Sequence, residues 1–142
     1  MAEYINNALQ TVDGRQNILF DATPVPCTRG YVIHREGSGV FSLKGITNNC
    51  FALYRVNFSG NIGLPEGGTL APIQVAIAIS GEALPEGTAI VEPAALEDLW
   101  NVSRSVIVRV PRGGWVNVTV LNTTSPEQAI VVQNANLEIT RV

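Results

Sequence analysis

Residues 102–142 alternate apolar and polar side chains with a period of two through three successive runs. This alternation commits the end of the chain to antiparallel β-structure. In the first run Val106, Val108 and Val110 fall on one face and Ser103, Ser105 and Arg109 on the other, the pattern of a half-buried strand. Pro111 cannot donate to a ladder, and Gly113 with Gly114 permits positive φ, so the chain can turn straight back. The returning run sets Val116, Val118 and Val120 against Asn117 and Thr119, and its β-branched content suits a strand better than a helix. Beyond a break at 122–126, Val131, Ala135, Leu137 and Ile139 fit a last strand on one face.

Upstream segments read as partners for these strands. Short strands are expected at 16–20, 31–34 and 40–44, with an irregular extended link forced by Pro24 and Pro26. Along 50–58, Ala52, Tyr54, Val56 and Phe58 share one face, while Phe51, Leu53 and Arg55 share the other. Residues 60–72 hold four glycines and two prolines, a surface loop longer than a hairpin requires. The strand at 73–79 points Ile73, Val75, Ile77 and Ile79 inward and Gln74, Ala76 and Ala78 outward; small apolar residues outside predict close contact with something. A turn through Gly81 and Gly87 leads to a short strand at 88–91. Pro93 at a first turn, with Leu96 and Trp100 four apart, predicts a short helical insert over 93–100. Residues 1–15 show no clear β-period. They are expected to form an N-terminal arm before a folded domain at 16–142, with Tyr4, Ile5 and Leu9 as apolar attachment residues that order on meeting a partner.

Several of these runs carry a resemblance. The segments SRSVIVRV (103–110), WVNVTV (115–120) and NLEITRV (136–142) resemble strands F, G and H of the TNF/C1q-like jelly roll, in the flavour of its bacterial and phage members. FALYRVNF (51–58) is similar to strand C, and IQVAIAISGE (73–82) to strand D and its turn. The fold class this implies is all-β, an antiparallel β-sandwich of jelly-roll type. The resemblance also implies a compact homotrimer whose threefold axis faces the sheet holding the C-, F- and H-like strands. Phe51, Leu53 and Arg55 are then expected at the trimer interface.

Composition excludes some partners and favours others. With 9 basic and 12 acidic residues the net charge is −3, and no basic run offers a footprint for nucleic acid. No stretch, the seven residues 73–79 included, approaches the length of a membrane-spanning helix. The first residues lack the basic and apolar regions of an export signal, which predicts assembly in the cytoplasm. Only 15% of residues are charged against 46% hydrophobic, too few charges to cover a typical small monomer, so part of the surface is expected to be buried by other chains.

Motifs for chemistry are sparse. His34 is the single histidine and lies in an expected strand, which suits a structural role better than that of a base oriented by a third group. Cys27, Cys50 and His34 show no paired ligand spacing, which leaves only a threefold-axis site built from three copies of one residue as a metal reading. Cys27 and Cys50 could pair or stay free. No cofactor is implied. Asn57, Asn101, Asn117 and Asn122 each begin an Asn-x-Ser/Thr triplet, read as part of an Asn- and Thr-rich β surface rather than as glycan acceptors. Trp100, Trp115 and Tyr54 could stack on a sugar if they were exposed together. The expected function is therefore non-enzymatic: a trimeric virion component of capsid-decoration or head-fibre type. The alternative is a surface binding module, either a receptor- or glycan-binding tip or a spore-surface C1q-like domain.

Overall fold

A computed structural model describes all 142 residues as eleven strands in two facing antiparallel sheets. The strands are β1 (Ala2–Asn6), β2 (Gln10–Val12), β3 (Ala22–Val25), β4 (Val32–His34), β5 (Phe41–Lys44), β6 (Phe51–Gly63), β7 (Ile73–Ile79), β8 (Glu82–Val91), β9 (Trp100–Pro111), β10 (Trp115–Asn122) and β11 (Ile130–Arg141). One sheet runs β3-β1-β11-β6-β9, with β2 also paired to β11; the other runs β4-β5-β10-β7-β8. Neighbours in space are mostly not neighbours in sequence, the crossing pattern of a jelly roll.

The alternation read from the sequence sets which side chains meet between the sheets. Ala52, Tyr54, Val56 and Phe58 of β6 are buried, as are Val106, Val108 and Val110 of β9, and they face Ile73, Val75 and Ile77 of β7 and Val118 and Val120 of β10. Tyr54 anchors one end of this core through its hydroxyl, which donates to the Lys44 carbonyl oxygen. Ala76 and Ala78, expected to meet something outside, are themselves buried. Their outward contact is made within the chain.

Four local expectations are corrected. Residues 1–15 are not a free arm: β1 pairs along its whole length with β11, from Ala2 opposite Ile139 to Asn6 opposite Ala135, and β2 pairs with Ile130–Val132. Tyr4, far from being free for attachment, is buried against Phe41 and His34, whereas Ile5 is half-buried and only Leu9 is exposed. Ala2, Tyr4 and Asn6 alternate inward over too few residues for their period to stand out. Second, 93–100 contains no helix. Glu97 has a left-handed φ of 66° and donates its N–H to Leu64 O at 3.0 Å, while Leu96 and Trp100 stay largely exposed. A helix of two turns has little stability of its own when it buries no face. Third, 16–20 makes only single bridges, Asn17 to Leu121 and Phe20 to Ser38, although Ile18 and Phe20 are fully buried plugs. The expected irregular link after it holds β3 instead. Fourth, β11 changes register between Gln133 and Asn136, with Asn134 at φ 56°. The shift leaves Ile130 and Val132 inward together with Ala135, Leu137 and Ile139, and turns Val131 to the other face.

Burial of two phenols makes the fold sensitive to alkali. Desolvation pushes the Tyr4 hydroxyl up to about 12 and also raises Tyr54, the latter partly opposed by the neighbouring Arg141 guanidinium. A folded-state value above the unfolded one means that stability is fully present below pH ~10 and is lost as pH climbs towards the folded value. Thermal midpoints are therefore expected to hold up to about pH 10 and to fall between there and 12. Tyr4→Phe should make that fall shallower, and identical alkaline profiles for the two proteins would contradict the assignment.

Candidate functional site

Several side chains expected to carry chemistry are absorbed by the structure. The His34 ring stacks on Phe41 with centroids 4.0 Å apart, and its nitrogens lie 3.1 and 3.2 Å from the carbonyl oxygens of Val40 and Phe20. It holds a hairpin together. Cys27 and Cys50 are both free thiols. No three His, Cys, Asp or Glu side chains converge as metal ligands. Trp100 and Trp115 are exposed but sit in different sheets, and Tyr54 is core, so the three form no common stacking surface. Asn122, one of the four triplet asparagines, is wholly buried. Its amide donates to Val12 O at 3.0 Å and Gln128 O at 2.9 Å, tying β2 to the end of β10.

What the fold leaves unpartnered is the outward face of β6 and β9. The β6–β9 register sets Phe51 opposite Pro111, Leu53 opposite Arg109 and Arg55 opposite Ile107. All lie on the face away from the core. Phe51, Leu53 and Ile107 are 43%, 38% and 49% exposed, so three large apolar side chains stand together in solvent. Arg109 lies 4.4 Å from the centroid of the Phe51 ring, a cation–π contact that leaves its charge available at the rim. The expected trio Phe51, Leu53 and Arg55 is thus brought to one surface; Ile107 and Arg109 complete it. These two were legible as the outward residues of 102–110, but only the pairing register shows that they meet Leu53 and Arg55.

Further along the same face the character changes. Asn101 donates to Asn61 at 3.3 Å, and Asn61 to Asn134 at 3.5 Å, forming a row of amides across β9, β6 and β11. Beyond them, where β6 ends, lies a cleft of about 450 Å³. Its apolar wall is Leu9, Leu64, Leu99 and Val131, with Glu66 and Glu97 among the remaining lining residues. Gly63 is needed here because a Cβ would stand 2.3 Å from the Asp98 carbonyl oxygen, so the 93–99 segment can cross β6 only over a glycine. The long loop, the 93–99 segment and Leu9 all meet at this cleft. The β11 register shift supplies its Val131.

The edge position of β9 bears on what these surfaces do. It pairs only with β6, so one side of a twelve-residue strand carries open backbone donors and acceptors. Comparison with known proteins addresses the architecture. No protein-family model and no curated protein sequence matches the chain. Among solved structures, the globular domain of zebrafish complement 1qA protein superposes with a TM-score of 0.54 at 9% identity, covering 96% of this chain and 94% of that one. The fold is a C1q/TNF-like jelly roll. Murine APRIL is similar in the same way: at pH 8.5 its structure gives a TM-score of 0.52 at 9% identity over 94% of this chain and 96% of that one. At pH 5.0 the values are 0.53, 8%, 93% and 98%.

Proposed function

We propose that the chain is a non-enzymatic module that assembles as a homotrimer through the outward face of β6 and β9, leaving its remaining surfaces for binding. The observation that carries this reading is the cluster of Phe51, Leu53 and Ile107 between Arg55 and Arg109 on a sheet whose edge strand is open. Exposed apolar groups rimmed by polar ones mark a protein–protein surface, and the reading is supported by the C1q/TNF-like resemblance, which implies a trimer with its axis on this sheet. The low charge content supports it independently.

Two uses of such a trimer follow from the sequence. A phage capsid decoration or head fibre keeps the support of sparse charge, but the attachment arm proposed for it is structural, so attachment would fall to loops. A surface binding module gains support from the cleft at Leu9, Leu64 and Leu99. The structure favours the second on that observation. The assembly itself is tested by Leu53→Glu combined with Ile107→Glu, which should give a folded monomer in sedimentation equilibrium, because carboxylates on a desolvated contact cost several kcal/mol. An unchanged oligomer mass in this double variant would place the interface elsewhere.

A further inference from the structure

We propose a binding site for a small monovalent anion of halide size, chloride being the simplest, in the cavity beneath Arg141 at the end of the sandwich where β11 finishes. The cavity holds about 70 Å³ and is lined by Cys27, Tyr31, Tyr54 and Arg141 among others, with no carboxylate in its wall. Arg141 follows Ile139 on the inward side of β11, so its guanidinium turns in between the sheets rather than out to solvent. It lies 4.8 Å from the Tyr31 ring centroid and 5.3 Å from that of Tyr54. These faces offset part of the cost of a half-buried cation. They do not satisfy its N–H groups: Nη1 is buried and no protein acceptor reaches it.

A guanidinium nitrogen in this position needs an acceptor, since an unsatisfied buried charged donor is among the costliest polar defects. The Tyr54 hydroxyl is directed to the Lys44 carbonyl, and the Tyr31 carbonyl lies 3.3 Å from that same hydroxyl. The Tyr54 oxygen also accepts a hydrogen bond from the guanidinium, yet Nη1 is still left without an acceptor. The volume admits one or two waters or one small anion, but not a polyatomic organic acid. An anion would neutralise the charge as well as accept the hydrogen bond, which a water cannot do. The site lies inside one subunit and does not depend on the trimer.

The probe is sodium chloride titrated against sodium gluconate at constant ionic strength, with gluconate too large for the cavity. In the wild type the thermal midpoint should rise with chloride by a few degrees and saturate as a one-site isotherm. Arg141→Gln should melt independently of which anion is present. Crystals soaked in sodium bromide should show an anomalous peak beside Nη1, a readout that stands even if Arg141→Gln fails to fold. Equal midpoints in chloride and gluconate, or an equal chloride response in Arg141→Gln, or no bromide peak at this position, would overturn the proposal in favour of water as the acceptor.

Discussion

Deleting residues 1–12 is expected to abolish cooperative folding. The deletion removes β1 and β2, and with them the whole of one side of β11, which is otherwise flanked only by β6. It also strips β3 of its only partner. Three core side chains go as well: Ala2, Tyr4 and Val12 are each no more than 3% exposed. Loss of a buried aromatic alone costs about 3–5 kcal/mol, a large share of the roughly 5–15 kcal/mol that holds a small domain together. Asn122 would also lose the Val12 carbonyl, one of the acceptors of its buried amide. Circular dichroism on heating should show no sharp transition. A truncated protein that melts within a few degrees of the full chain would mean that β1 adds little to the sheet.

The second large effect is expected at adjacent positions of β10. Val118 is fully buried between the sheets and pairs with both Phe41 and Ile79, whereas Asn117 faces outward and accepts a hydrogen bond from Ser42 Oγ at 2.8 Å. Val118→Asp puts a carboxylate where no donor can reach it, at a cost of several kcal/mol, about the whole margin of stability. Asn117→Asp keeps an acceptor for Ser42 in solvent and should shift the midpoint by little. Equal melting temperatures for the two variants would show the strand shifted by one residue, since such a slip exchanges the faces.

The sandwich was legible wherever a strand was long enough to show its period. Ala52 to Phe58 and Val106 to Val110 declared which residues are inward, and with them the outward trio Phe51, Leu53 and Arg55. What escaped was decided by tertiary pairing. β1 has five residues, too short for alternation to be distinguished from a weak helical spacing, and it is a strand because β11 offers it an edge. The 93–100 segment has the residues of a helix but no face to bury. Val131 was placed inward by a strict period of two, and the irregularity at Asn134 reverses it; an asparagine, which tolerates positive φ, was the only signal. The cleft lay beyond sequence reading altogether. Leu9, Leu64 and Leu99 are brought together only by the fold, although each came from a segment that had stood out by itself.

The central claim is that the apolar face of β6 and β9 is covered by copies of the same chain. Light scattering on the eluting peak of a size-exclusion column, with the untagged protein loaded at micromolar concentration, measures this directly. The account predicts a mass three times that of the 15.2 kDa chain. A peak at 15.2 kDa would leave Phe51, Leu53 and Ile107 in solvent and contradict it.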